Sequence, residues 1–252
     1  MQTEQLTSYI NEFLQISDFT DYAPNGLQVE GRSFVKRLAT AVTANYYVIE
    51  QVIDWQADAL LVHHGYFWKG ESPCILGMKK QRIQALLKHN TNLYAYHLPL
   101  DCHLTLGNNA QLASVCSFLV NQSHAIGGNK DLLWQGELSA VQSSAEFSTF
   151  LSNVLSRQVI HLPASSDKPI KSLAWCSGGA QDLIEKAASL GVDAYISGEV
   201  SERTYYQAQE LDIHYFSCGH HATERYGVQA LGKYVASELE LEHQFFDVNN
   251  PV

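Results

Sequence analysis

The sequence predicts an α/β protein made of two similar, interlinked lobes with mixed, largely parallel sheets. Three observations carry that reading. Apolar runs of strand length alternate with segments whose apolar residues recur at helical spacing. The order of elements in the first half returns in the second, which sets two lobes, 1–125 and 126–252, facing each other with functional groups between them. Side chains able to hold metal ions gather where the predicted strands end, the place where open α/β sheets bind ligands.

Taken in order, Leu6, Tyr9, Ile10, Phe13 and Leu14 form the stripe of an amphipathic helix, and Pro24-Asn25-Gly26 reads as a turn. Strand Leu38 to Thr43, a helix from Val48 to Trp55 and strand Ala59 to Val62 follow, the last closed by His63-His64-Gly65. After a loop with Gly70 and Pro73 come a helix over Lys80 to His89, strand Leu93 to His97 and a helix over Asn109 to Phe118. The middle is less regular: strand Leu133 to Leu138, helix Glu146 to Leu155, strand Val159 to Leu162 and a polar loop from Ala164 to Pro169. The earlier order then returns, with strands at Leu173, Asp193 and Ile213, helices at Asp182 and Tyr205, a final helix carrying Val228, Leu231 and Val235, and a closing strand near Gln244.

Leu38-Ala39 is matched by Leu173-Ala174, Ile49-Glu50 by Ile184-Glu185 and Asp58-Ala59 by Asp193-Ala194, all at one constant offset in numbering, 135 (173 less 38). Further on, Leu93 is matched with Ile213 at an offset of 120 (213 less 93), as though the loop after His64 were shorter by 15 in the second half.

Composition bounds the function. A hydrophobic fraction of 46% and a charged fraction of 17% are those of an ordinary globular protein. A formal charge of -10 argues against broad binding to nucleic acid or an anionic membrane, since phosphates require clustered Lys and Arg. The five cysteines include no CxxC pair, which argues against a disulfide framework or a thiolate zinc knuckle. The sequence opens without a basic segment followed by an apolar one, and no apolar run reaches the roughly 18 residues of a membrane span. A cytoplasmic protein is expected.

Three strands end in metal-competent groups: His63 and His64; His97 with Asp101 just beyond; and His220 with His221. Glu224 follows His220 by four residues and shares its helix face. Neighbouring residues of a regular strand point to opposite faces, so His63 and His64 serve one ion only if the chain turns at Gly65. Two ions remove the conflict. Nitrogen and oxygen donors fit Zn, Mn, Fe, Co or Ni, and the absence of thiolates disfavours copper(I) and iron–sulfur clusters.

Several stretches also carry a resemblance: Asp21-Tyr22-Ala23-Pro24-Asn25-Gly26-Leu27-Gln28-Val29, Val62-His63-His64-Gly65, His97-Leu98-Pro99-Leu100-Asp101, Ser197-Gly198-Glu199 and Gly219-His220-His221-Ala222-Thr223-Glu224. Together they resemble the GTP cyclohydrolase I type 2 homologue family, also called NIF-three-like, over nearly the whole chain. The resemblance implies a dinuclear metal centre with two divalent ions on His63, His64, Asp101, His220 and Glu224. It also implies a two-lobed α/β fold and a ring-shaped homohexamer. The family name rests on a proposed ring opening of GTP, so the implied activity is that of a metal-dependent hydrolase on a small molecule.

Other residues have a plainer reading beside the functional one. Asp101 could cap the following helix. His97 is either a partner that orients a ligand and moves protons or a satisfied core histidine. Glu199 stands at the repeat position of His64, as an acid/base group facing the metals, or as a salt-bridge partner or the charge of a helix start. His221 points away from the His220/Glu224 face, and His103 lies in a loop after the site. Ser177-Gly178-Gly179 is a tight turn before it is a phosphate cradle. Tyr66-Phe67-Trp68 suits base stacking, an apolar lid or a subunit contact. Against the hydrolase stands a non-catalytic metal-binding scaffold or interaction protein, DNA-associated through its ring, though the net charge speaks against nucleic acid.

Overall fold

The computed structural model describes residues 1–166 and 168–252. Asp167, within the loop expected from Ala164 to Pro169, lies outside the described residues. The chain forms two compact units that no single cut separates: Met1–Gly107 with Arg225–Asn249, and Asn108–Glu224 with Asn250–Val252. Residue 125, where the sequence reading divides the lobes, falls inside a strand of the second unit.

The first unit opens with α1 (Thr3–Phe13), then β1 (Gly26–Val29), β2 (Arg37–Thr43), α2 (Tyr46–Asp54), β3 (Ala59–His64), α3 (Gly77–Lys88), β4 (Asn92–Ala95) and the single turn α4 (Leu98–Asp101). The second holds α5 (Asn108–Val115), β5 (Leu119–Ile126), β6 (Asn129–Gln142), α6 (Ser144–Leu155), β7 (Ile160–Leu162), β8 (Ile170–Trp175), α7 (Ile184–Ser189), β9 (Ala194–Ser197), α8 (Glu202–Glu210) and β10 (His214–Ser217). Helix α9 (His220–Glu238) starts in the second unit and runs on as part of the first, which β11 (Glu242–Phe245) completes.

In the first unit the strand order is β1-β4-β3-β2-β11, parallel throughout except for β1 at the edge. Period-two alternation splits its apolar residues between two cores. Leu60, Val62 and Leu93 face α2 and α3 with Val48, Ile49, Val52 and Leu86, whereas Leu38, Leu61 and Tyr94 face Leu6 and Ile10 of α1 and Val228, Leu231 and Val235 of α9. Asn45 starts α2 by accepting a hydrogen bond from the Val48 amide at 3.0 Å.

The second unit has the order β5-β6-β8-β9-β10-β7, with β8, β9 and β10 parallel and the outer strands antiparallel. Trp175, Tyr195, Tyr215 and Phe216 are fully buried there. A capping box starts α6: Ser143 accepts from the Glu146 amide, and the Glu146 carboxylate accepts from the Ser143 amide at 2.9 Å.

The internal repeat extends to individual atoms. Leu38 faces Ala59 across β2 and β3, and Leu173 faces Ala194 across β8 and β9, the same pair at the offset of 135 (194 less 59). The Asp58 carboxylate accepts from the amides of Lys36 and Arg37 at 2.7 and 2.9 Å; that of Asp193 accepts from Lys171 and Ser172 at 3.0 and 2.9 Å. The third strand corrects the expected alignment. Asn92 faces Ala59 and His214 faces Ala194, so the later offset is 122 (214 less 92), not 120, and the second half is shorter by 13 (135 less 122) rather than 15. Two strands escaped the sequence reading, β1 and β5. The second is one arm of a hairpin turned by Gly127 and Gly128, whose φ values of 58° and 89° suit a two-residue primed turn.

Candidate metal centre

In the first unit the candidate groups stand at the carboxyl ends of β3 and β4. His63 and His64 leave opposite faces of β3, yet at the strand end their rings come to 4.5 Å, and the His97 ring stands 5.0 Å from His63 and 5.9 Å from His64. These three histidines can each offer a nitrogen within 4.8 Å of the others, close enough to share an ion. Gly65 assists by closeness rather than by a left-handed turn: a Cβ there would collide with the Gln28 side chain, whose oxygen accepts from the Tyr66 amide at 2.7 Å.

A hydrogen bond fixes which nitrogen the His63 ring presents. His63 is fully buried and its Nδ1 donates to the Tyr96 carbonyl at 2.9 Å, so the lone-pair nitrogen of the neutral ring is Nε2, 3.5 Å from Asp101 Oδ1. His64 Nδ1 lies 3.1 Å from the Thr43 hydroxyl. Asp101 is buried and is the last residue of α4, while the following helix α5 begins only at Asn108.

His97 is held by residues to which the sequence reading gave no role. Its Nδ1 donates to Asp21 at 2.7 Å, and its amide donates to Asn25 Oδ1 at 2.7 Å. Asp21 also accepts from the Leu98 amide at 2.9 Å and from the Asn25 side chain at 2.8 Å. Burial raises the carboxyl pKa of Asp21, but the bond and charge of His97, with those of Asn25 and Leu98, outweigh it and bring it down to about 2. Both residues stood in the quoted Asp21-to-Val29 stretch, the one signal that could have found them.

The second unit repeats this wiring. His220 Nδ1 donates to Glu199 at 2.7 Å, and its Nε2 lies 3.2 Å from the buried Glu224. Burial disfavours the charged imidazole, yet the bonds and charges of Glu224 and then Glu199 push the His220 pKa up to about 9. Glu199 thus sits behind the ring of His220. Gly178 has φ +68°, and a Cβ there would run into a Glu224 oxygen. Its amide donates to Thr223 Oγ1 at 3.0 Å, so Ser177-Gly178-Gly179 is a tight turn packed against the His/Glu pair, with that amide already committed.

Other expected residues lie outside these sets. His221 is buried, with its amide donating to the Val252 carbonyl at 3.2 Å. The His103 ring stacks on Phe13 at 4.8 Å, its Nδ1 accepts from the Leu106 amide at 3.1 Å, and burial lowers its pKa. Burial pushes the Cys116 thiol up to about 12 and that of Cys218 well above its usual value, so neither offers a thiolate. Among the described residues no helix is long and apolar enough to cross a membrane.

The donor set is imidazole and carboxylate, with each of His63, His97 and His220 donating its Nδ1 proton to an oxygen, as metal-ligating histidines do. Divalent transition ions fit these donors.

Comparison with known proteins agrees with the fold and these motifs. A protein from Vibrio cholerae named GTP cyclohydrolase 1 type 2 homolog is 50% identical over the whole of both chains. A Pseudomonas aeruginosa protein of the same name is 45% identical, covering 98% of this chain and 97% of its own. Among solved structures, the protein ybgI, described as of unknown function, superposes with a TM-score of 0.96 at 42% identity over all of both chains. TTHA1606 from Thermus thermophilus does so with 0.89 at 30% identity, again over all of both. The family model described as Duf34/NIF3 (NGG1p interacting factor 3) matches residues 1–251, and the chain belongs to that family.

Proposed function

We propose that this protein binds two divalent metal ions through His63, His64, Asp101, His220 and Glu224 and uses them to hydrolyse a small molecule, with GTP as the substrate. The observation that carries the proposal is the doubled wiring: His63 has its Nδ1 committed to a backbone carbonyl and its Nε2 toward Asp101, while His220 has its Nδ1 committed to Glu199 and its Nε2 toward Glu224. Such bonds fix the tautomer that ligates. The names of the Vibrio and Pseudomonas relatives supply GTP.

Bound there, two divalent ions would lower the pKa of a water and polarise the bond it attacks. The chain's own part is orientation and proton movement. Glu199 holds His220 and offsets the charge of its ring. His97, hydrogen-bonded to the ionised Asp21, carries a proton at Nε2 to or from the reacting group. Opening guanine's imidazole ring requires both water addition and proton delivery to the departing nitrogen, and His97 supplies the second. The working form is a cytoplasmic homohexamer, as the family resemblance implies.

The test is metal analysis of purified protein followed by turnover of GTP, with wild type and Asp101→Ala side by side. Metal near two ions per chain in the wild type, a reduced content in the variant and GTP consumption by the wild type alone are expected. Metal-loaded protein inert toward GTP and toward a panel of phosphoesters and amides would overturn the catalytic part and leave a metal-binding scaffold.

A further inference from the structure

Beside the imidazoles of the first unit stands an aromatic wall that the ligand set does not use. The Trp68 ring meets His97 edge-on at 4.9 Å and lies 6.0 Å from His64. The Tyr22 ring stands 6.3 Å from His97 on the adjoining loop and is 63% exposed. Phe67, between Tyr66 and Trp68, is also exposed. Large aromatic rings left in water next to a buried polar cluster need a purpose, because a folded chain gains free energy by covering them.

The backbone confirms that these rings are held out rather than left over. Phe67 has φ +65°, the left-handed region that a bulky aromatic residue rarely adopts. Such a conformation persists only where its surroundings over-determine it. They do here. The Tyr66 amide donates to Gln28, the Trp68 amide to Glu71 at 3.1 Å, the Trp68 indole to the Gly65 carbonyl at 3.3 Å, and the Lys69 amide to the Tyr22 carbonyl at 2.6 Å. That last bond ties the Tyr22 loop to the Phe67–Trp68 loop, so the rings are presented together.

From this geometry we infer that Tyr22 and Trp68 form a stacking wall for a flat heteroaromatic ring, a purine in the first instance, beside His97 and His64. The inference rests on the proposed function for its choice of ring and goes beyond it in naming residues that select the substrate by shape. Aromatic faces bind any base by stacking, whereas a phosphate has no π-face to lay against them. The wall therefore sets a preference for substrates with an unsaturated ring over simple phosphoesters. Lys79 does not supply a phosphate contact: its ammonium lies over the Phe67 ring at 4.8 Å, 3.3 Å from Glu71 and 3.2 Å from the Ser72 carbonyl.

The test is binding, read by calorimetry on the full-length protein in its native assembly, with metal content measured on the same samples. Guanosine and ribose 5-phosphate are the probes. Guanosine is expected to bind the wild type and Tyr22→Phe alike and to bind Tyr22→Ala about tenfold more weakly, with metal content equal in all three. Trp68→Phe retains binding and Trp68→Leu loses it, thermal melts confirming that each variant folds. Ribose 5-phosphate binding as tightly as guanosine, or guanosine indifferent to Tyr22→Ala, would overturn the inference. So would an assembly that falls apart in Tyr22→Ala with guanosine affinity unchanged, which would make the rings a subunit contact. Wild-type protein that holds no divalent metal yet binds guanosine, with that binding weakened in Tyr22→Ala, would instead defeat the proposed metal centre and leave the wall standing.

Discussion

Glu199 Oε1 lies 2.7 Å from Nδ1 of His220, on the opposite side of the imidazole from Glu224. One carboxylate thus holds the ring while the other shares its outward nitrogen. Glu199 stands where the repeat places His64, so a position that carries an imidazole in one unit holds an imidazole in the other.

That arrangement makes Glu199 testable separately from the ligands. Glu199→Gln keeps an acceptor for Nδ1 but removes the charge behind it. Metal affinity is expected to fall by about 10- to 100-fold, measured by titration against a competing chelator, with little change in melting temperature. An unchanged affinity would show that Glu199 does not act through His220.

Asp21 gives the protein a pH signature. Its folded pKa of about 2 lies below the ordinary 3.8, so the stability it contributes is fully present above 3.8 and is lost as pH falls toward 2. Asp21→Asn has no such term. The stability gap between wild type and Asp21→Asn, measured by urea unfolding, is therefore expected to be constant from pH 7 to 5 and to narrow between pH 4 and 2. A gap independent of pH would refute the His97 pairing.

Gly178 has no room for a side chain. With φ +68° and Glu224 in the path of a Cβ, Gly178→Ala is expected to cost about 1–3 kcal/mol of stability and to reduce metal content by displacing the carboxylate. Gly127→Ala shares the positive φ but has open space around it, and it should leave metal content untouched.

Removing the metals should lower stability by mass action. At free metal about 100-fold above Kd, each occupied site adds about 2.7 kcal/mol. Chelation is then expected to lower the melting temperature by about 5–10 °C per site, an effect smaller in Asp101→Ala. Calorimetric scans with and without chelator decide it.

The two repeated aspartates offer a paired experiment. Asp58→Ala and Asp193→Ala each strip the acceptor from two backbone amides at the same place in their sheets. Each is expected to destabilise the protein by about 1–3 kcal/mol in denaturant unfolding.

The metal-competent residues were legible because they close β3 or follow β4 and β10, whose apolar residues mark them as buried parallel strands. The repeat was legible for the same reason, but its second offset was not. A shift of two residues leaves every side chain of a strand on the same face, so offsets of 120 and 122 give the same inward–outward pattern. Strand β1 has four residues, and β5 carries Asn121, Gln122, Ser123 and His124 at a sheet edge, so neither shows the alternation of a half-buried strand. Asp21 and Asn25 work through bonds to residues more than 70 positions later, a relation that no local periodicity records.

The path of the chain also governs when the first sheet can be finished. β11 pairs with β2 and α9 covers one of its faces, yet the parts of both that belong to the first unit are made only after Asn108–Glu224 of the second. At about 5–20 residues per second a ribosome takes roughly 10–40 s to travel from Thr43 to Glu242. Through that interval β2 waits with an open edge, and Leu38 has α1 but not α9 against it. A nascent chain stalled before α9 therefore exposes an unpaired edge and an incompletely covered apolar face in the sheet that carries His63 and His64.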